Sequence, residues 1–322
     1  MGMKSPVLVL FFLPSRFLHG MIEKSLNRRR KGRPSCSFVC GKQNSKGIIC
    51  AMKFETIRDL QIPKIGFGTW SIGGRESPDP ASDESSLAVL RSALELGYTH
   101  FDTAEFYAAG HTEELLGQAV RESGMSRENL FITSKVSPEH LNYEEVLTCC
   151  ENSLRRLRME YLDLYLIHWP MRGMNLVDSF RALNQLVRDS KVRYLGVSNF
   201  DLGLLKTAAE LSETPLLTDQ VPYSLAERTY QQNGVLEYCQ QNDILLTAYS
   251  PIKRRKISGS PILKVMARIK HASVQQVALA WLVQQPRVIT IPKSSHPGHQ
   301  EDNLDAAGIE LSSADMTLLE NE

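Results

Sequence analysis

Residues 162–169 read LDLYLIHW. On an extended chain successive side chains point to opposite faces, so Leu162, Leu164, Leu166 and His168 share one face while Asp163 and Tyr165 share the other. An apolar stack ending in a histidine suits a strand that lines a closed barrel, its inner face packed and its outer face turned to covering helices. His168 then stands at the C-terminal rim, where barrels of this kind expose their reactive side chains.

Seven further short β-like runs surround this one: KIGFGTW (64–70), HFDTA (100–104), LFITSKV (130–136), VRYLGVSNF (192–200), LLTDQVPY (216–223), ILLTAYSP (244–251) and VITIPKS (288–294). Between them lie amphipathic helical patterns such as 82–97, 142–158, 176–190 and 274–285, several opened by Ser or Asn with acids in the first turn. Eight strand–helix units in residues 52–322 are the count of an α/β (β/α)8 TIM barrel, whose usual size is about 250 residues. KFETIRDLQIP (53–63) reads as an N-terminal β-hairpin closing the barrel floor. A doubly wound nucleotide-binding sheet is the competing α/β fold, but no GxGxxG follows the first strand.

Residues 1–51 have a different character. They hold ten Lys or Arg against one acid, Glu23, a charge of about +9, whereas 52–322 carries about −8. The apolar run 7–13 is too short to span a bilayer and leads to RRRKGR at 28–33. Residues 1–51 are therefore expected to be a basic, disordered extension to a barrel domain at 52–322. Cytoplasmic residence is expected, with organelle import through residues 1–51 as the alternative, since an acid-poor, Arg- and Ser-rich segment suits a transit sequence. Neither a membrane nor a nucleic-acid partner is expected, and the chain is expected to be a monomer. Of the six cysteines, Cys36, Cys40 and Cys50 lie in the extension and Cys149 and Cys150 are adjacent on a helix. That spacing matches no disulfide framework and no standard zinc signature, so reduced thiols and no metal are expected.

Four polar residues fall at or just past three consecutive strand ends: Asp102 and Tyr107, then Lys135, then His168. A tyrosine, with an ordinary pKa of about 10, can donate its proton if a neighbouring ammonium draws that value down. Three pH units require roughly 4 kcal/mol, which a unit charge about 4 Å away supplies at an effective dielectric near 20. Lys135 is the expected ammonium, and Asp102 the carboxylate that keeps it charged. His168 would orient a carbonyl oxygen beside the phenol. Protonating a carbonyl oxygen reduces nothing without a hydride, so a nicotinamide cofactor is implied.

The motifs FDTAEFY (101–107), ITSKV (132–136), YLDLYLIHWP (161–170), YLGVSNF (194–200), DQVPYS (219–224), AYSP (248–251) and IPKSS (291–295) resemble, in order and spacing, those of the aldo-keto reductase family over residues 54–320. The resemblance implies an oxidoreductase that reduces an aldehyde or ketone with NADPH, NADH being possible. Its catalytic tetrad would be Asp102, Tyr107, Lys135 and His168. The cofactor would lie across the barrel top, with Thr69 and Trp70 among its neighbours. Ser198, Asn199 and Gln220 would hold the carboxamide, Tyr249 would stack on the nicotinamide, and Ser250 with the loop after it would contact the pyrophosphate. Lys293 and Ser294 would grip the 2′-phosphate, and Asp302 and Asn303 the adenine end.

This chain departs from the family pattern in having His299 where many members carry arginine, and Asp302 where glutamate is more usual. An imidazole lacks the bidentate fork of a guanidinium, so the phosphate clamp is expected to be weakened. The basic run KRRK (253–256) reads either as a solvated turn or as a loop leaning over cofactor phosphates. Few residues follow Asn303, so an open substrate pocket is expected. The competing functional class is a nucleotide-binding scaffold or sensor subunit with little turnover. A hydrolytic barrel would need paired carboxylates or metal ligands at the rim, which the strand ends do not offer.

Overall fold

A computed structural model of the chain describes residues 52–252, 257 and 259–321. The expectations for residues 1–51 and for the basic run 253–256 lie outside them. Two strands, β1 (Phe54–Ile57) and β2 (Leu60–Pro63), pair antiparallel through the two-residue turn Arg58–Asp59. Arg58 takes the left-handed φ of 54° that such tight turns favour. Its guanidinium donates to the carbonyls of Pro215 (3.3 Å), Leu216 (2.8 Å) and Asp243 (2.7 Å), which pins the hairpin to the loops that precede two barrel strands. Ile57 and Ile62 are fully buried against Phe131, Leu164, Leu166, Leu217, Leu245 and Ile289. These residues form the barrel interior, and the hairpin seals its floor as expected.

The eight expected runs are all present as strands: β3 (Phe67–Gly68), β4 (His100–Asp102), β5 (Phe131–Val136), β6 (Leu162–Ile167), β7 (Val192–Ser198), β8 (Thr218–Pro222), β9 (Leu245–Tyr249) and β10 (Val288–Thr290). They pair in chain order and all in parallel. The first and last meet through a parallel bridge between Ile65 and Thr290. There the Gly66 amide donates to Thr290 O (2.8 Å) and the Thr290 amide to Lys64 O (2.9 Å). The sheet is thereby closed into the (β/α)8 barrel. Each strand is shorter than its apolar run, β3 most of all. At Gly68 the backbone of the last strand segment comes so close that a Cβ would stand 2.7 Å from Ile291 O.

The alternation read in 162–169 holds only from Leu164 onward. Leu164 and Leu166 face the interior, whereas Leu162 packs with Tyr165 and Ile167 in the outer core between sheet and helices. Asp163 keeps the outward parity of Tyr165 and Ile167, with its carboxylate turned to the edge of the β5–β6 ladder. There it accepts the Ile132 amide (2.9 Å) and pairs with Arg127 (2.6 Å) and Arg193 (3.0 Å).

Helices α1 (Asp83–Leu96), α2 (His111–Ser123), α3 (Tyr143–Leu157), α4 (Leu176–Arg188) and α5 (Leu202–Leu211) follow the first barrel strands. Next come α6 (Thr229–Gln232), α7 (Val235–Gln241), α8 (Pro261–Ile269), α9 (Val274–Gln284), α10 (Pro297–Asp305) and α11 (Ser313–Glu320). Their ends are set by local chemistry. Asn142 accepts the Glu145 amide at the start of α3, Ser273 and Gln276 form a reciprocal capping box at the start of α9, and Gly97, with φ 98°, stops α1. Helix α11 packs on α8, with Lys270 and Asp315 paired at 2.8 Å. No described helix is long and apolar enough to cross a membrane.

One residue in the sheet works against stability. Asp219 of β8 is fully buried with no side-chain partner among the described residues, and burial outweighs a backbone hydrogen bond from Phe200 to push its pKa well above the usual carboxylate range. Because the folded value is raised, its contribution to stability is full below the unfolded pKa of about 3.9 and is lost as pH rises through the folded value. Asp219→Asn removes that dependence. Its melting temperature is expected to match the wild type near pH 4 and to exceed it progressively towards pH 8. Parallel melting curves would refute the assignment.

Candidate active site

Strand β4 ends at Asp102, and the chain then makes a short turn, Tyr107–Gly110, in which Ala108 and Ala109 both hold left-handed φ values of 49° and 50°. Left-handed geometry costs an alanine about 1–2 kcal/mol, so the surrounding contacts must impose it. Among them are the Ala108 amide on Arg75 O (2.6 Å) and the Glu105 amide on Lys135 O (3.3 Å). The result brings the Tyr107 hydroxyl over the end of β5.

Lys135 of β5 is completely buried. Its Nζ donates to Asp102 Oδ1 (2.5 Å), Thr103 O (2.8 Å) and Tyr107 Oη (3.2 Å), which uses all three ammonium protons. Asp102 faces Lys135, as expected, and its other oxygen accepts the Gln220 amide (2.7 Å). Burial pulls the lysine pKa down, but Asp102 and Tyr107 beside it hold the net value above the ordinary lysine range.

Tyr107 behaves differently from expectation. Burial raises its pKa, Lys135 lowers it and Asp102 raises it again, so the phenol stays above its ordinary value instead of being drawn down. The lysine's field is largely cancelled by the carboxylate it touches, and desolvation of the phenolate decides the sign.

His168 lies one residue past β6, its ring 5.7 Å from that of Tyr107 and inclined at 72°. Burial and then Lys135 lower its pKa to about 3, so it is a neutral imidazole. Trp70 packs edge-on to Tyr107 at 5.0 Å and lies parallel to Phe106 at 6.2 Å. His100, deeper in the barrel, is buried beside Thr133 Oγ1 (3.3 Å) and does not reach the rim cluster. Cys149 and Cys150 are buried on α3, and burial pushes the Cys149 thiol up to about 12, so it is not a reactive nucleophile.

A cleft of about 640 Å³ opens above this cluster. Asp102, Tyr107 and His168 line it, together with every residue expected at the cofactor: Thr69, Trp70, Ser198, Asn199, Gln220, Tyr249, Ser250, Lys293, Ser294, His299, Asp302 and Asn303. Lys135 alone of the expected site residues lies beneath its wall.

Near the tetrad the polar groups are tied into one chain. Thr69 Oγ1 donates to Asp102 O (2.9 Å), Ser198 Oγ to Gln220 O (2.7 Å), Asn199 Nδ2 to Ser198 Oγ (2.9 Å) and to His168 O (3.1 Å), and Tyr249 Oη to Asn199 Oδ1 (2.9 Å). Asn199 holds a left-handed φ of 64°, a conformation asparagine tolerates better than most residues.

At the far end Lys293 Nζ reaches Ser71 Oγ at 3.5 Å, and the His299 ring packs on His296 at 4.9 Å. Burial lowers the Lys293 pKa, and among the described residues no carboxylate pairs with it. An exposed ammonium that no described carboxylate pairs at one end, and an amide cradle at the other, fit a nicotinamide dinucleotide.

Sequence reasoning missed the N-terminus of α9, where Ser273, Gln275 and Gln276 line the cleft beside Asp302. Gln276 Nε2 donates to Asp302 O (3.1 Å). The capping pattern S-x-x-Q at 273–276 marked that helix start, but nothing in it signalled the cleft. Phe106 and Trp169 at the mouth, both substantially exposed, were likewise missed. No described residue after Asn303 lines the cleft.

Residues 64–321 match the model of the Aldo/keto reductase family, which is most of the chain and all of the barrel. The chain belongs to the aldo/keto reductase family. It is therefore an NAD(P)H-dependent oxidoreductase. Among its relatives, the methylglyoxal reductase YeaE of Escherichia coli is 36% identical over 268 residues, 81% of this chain and 91% of the relative. The glyoxal reductase of Bacillus subtilis is 36% identical over 257 residues, 80% and 87% of the two chains. Among solved structures, the thermostable aldo-keto reductase Tm1743, crystallised with the inhibitor epalrestat, superposes with a TM-score of 0.81 at 43% identity, covering 84% of this chain and 99% of that one. The Klebsiella pneumoniae aldo/keto reductase, in complex with NADP and acetate, gives 0.74 at 34%, covering 84% and 95%. A nicotinamide cofactor therefore serves this aldo/keto reductase.

Proposed function

We propose that this aldo/keto reductase reduces small aldehydes and ketones with NADPH, and that Tyr107 supplies the proton to the carbonyl oxygen. One contact carries the reading: Lys135 Nζ, already bound to Asp102, lies 3.2 Å from the Tyr107 hydroxyl. NADPH, when bound, supplies the hydride. The protein's own groups handle the oxygen. As negative charge develops there, Tyr107 gives up its proton and keeps the electron pair as phenolate, and the Lys135 ammonium stabilises that phenolate. The neutral His168 ring donates an N–H to the same oxygen and orients it. With a pKa near 3 it has no imidazolium proton to give, which leaves Tyr107 as the acid.

Ser198, Asn199 and Gln220 would hold the carboxamide and Tyr249 the nicotinamide face, with Thr69 and Trp70 alongside. Ser250 would meet the pyrophosphate, Lys293, Ser294 and His299 the 2′-phosphate, and Asp302 and Asn303 the adenine end. Two relatives are named for glyoxal and methylglyoxal reduction, so α-oxoaldehydes head the substrate panel. The test is NADPH oxidation followed by absorbance with methylglyoxal, glyoxal and simple aryl aldehydes. No turnover with any carbonyl would favour a binding subunit instead.

His299→Arg is expected to tighten NADPH by roughly ten- to a hundredfold, the worth of one charge-assisted contact of about 1.5–3 kcal/mol, and to leave NADH nearly unchanged. Michaelis constants for both cofactors check it. Equal effects on the two would mean that residue 299 does not face the 2′-phosphate.

A further inference from the structure

The loop that joins Asp102 to Tyr107 also carries Glu105, whose side chain points away from the cleft into a second cluster of donor atoms. Glu105 Oε1 accepts the Ser137 amide (2.7 Å) and lies 3.0 Å from His140 Nδ1, at the end of the short turn Pro138–His140 that follows β5. Cys149 approaches from α3 and hydrogen-bonds the same carboxylate. One donor atom from each of the three lies within 4.8 Å of the other two.

We propose that Glu105, His140 and Cys149 form a binding site for a thiophilic divalent cation, best matched by Zn²⁺. The donor set decides the class. Oxygen, nitrogen and sulfur together suit a borderline-soft ion, whereas Mg²⁺ and Ca²⁺ take oxygen ligands. Tetrahedral zinc, with bonds of roughly 2.0–2.3 Å, sets its donors about 3.3–3.8 Å apart, so small side-chain rotations close the present triangle around an ion.

Access and charge also agree. The Glu105 side chain is only 9% exposed, but that of His140 is 46% exposed, which leaves an entry path and room for a water as fourth ligand. Binding releases one proton, from the Cys149 thiol. His140 coordinates through one ring nitrogen and keeps its single proton on the other, and the Ser137 amide remains to orient the carboxylate. Thiolate and carboxylate neutralise the ion. Glu145, one turn before Cys149 on α3, adds negative charge near the thiol and Arg156 opposes it.

The test uses the full chain after chelator dialysis, titrated with Co²⁺ as the spectroscopic probe. One equivalent is expected to give a near-ultraviolet thiolate-to-cobalt band with tetrahedral visible bands, all bleached by Zn²⁺. Cys149→Ser should abolish the thiolate band. His140→Ala, a change on an exposed turn, should weaken binding by at least about tenfold, since even outer partners of metal ligands are worth 10- to 100-fold. Zn²⁺ should also raise the melting temperature of the wild type by more than that of His140→Ala. Absence of the thiolate band overturns the proposal. So does its survival in Cys149→Ser, which would move the metal to other thiols, or wild-type affinity in His140→Ala. None of these readouts depends on carbonyl reduction.

Discussion

Tyr107→Phe is expected to bind NADPH as the wild type does and to lose about 10²- to 10⁴-fold in turnover, the usual worth of a general acid. The substitution removes one hydroxyl and keeps the ring in place, packed edge-on to Trp70 at 5.0 Å and beside His168 at 5.7 Å. What is lost is the proton and the contact with Lys135. Because burial holds the phenol pKa above its ordinary value, the acid form persists through neutrality. The wild-type rate should therefore be insensitive to pH between about 6 and 9 on this group's account and fall only in more alkaline solution, where the phenol ionises. Turnover and cofactor affinity are read separately, by NADPH absorbance under saturation and by fluorescence titration. Residual turnover above a tenth of wild type would remove Tyr107 from the role.

Lys135→Met should lose activity to a similar degree and, unlike Tyr107→Phe, should lose stability as well. Both members of the Lys135–Asp102 pair are shielded from water, with side chains 0% and 2% exposed. Removing the cation leaves a carboxylate that, among the described residues, only the Gln220 amide holds, and breaking a buried pair from one side typically costs about 3–5 kcal/mol. The double change Lys135→Met with Asp102→Asn removes both charges, so it should recover much of the stability and none of the turnover. Denaturant melts of the four chains measure this as a coupling. If Lys135→Met melts like the wild type, the ion pair is not the element that holds the two strand ends together. If the double variant regains turnover, Lys135 has no part in the chemistry.

Much of this molecule is legible along the chain because the signals are local. Eight apolar runs separated by capped amphipathic helices determine a (β/α)8 barrel, and strand order then sets Asp102, Lys135 and His168 at neighbouring strand ends. The facing of Asp102 and Lys135 followed from charge alone: a buried ammonium needs a carboxylate, and one stood at the adjacent strand end. What the tertiary structure decided are quantities that sum over neighbours distant in sequence. The Asp163 carboxylate found its partners, the Ile132 amide and Arg127 and Arg193, on other segments of the barrel. Barrel closure depended on Lys64 and Gly66 meeting Thr290. The Tyr107 pKa moved up and not down because the depth of burial, invisible in a motif, outweighs a lysine whose charge its own partner cancels. Gln276 reached the cleft, and Glu105, His140 and Cys149 came together, through the packing of separate elements; no spacing in the sequence encodes a meeting that only the folded barrel makes.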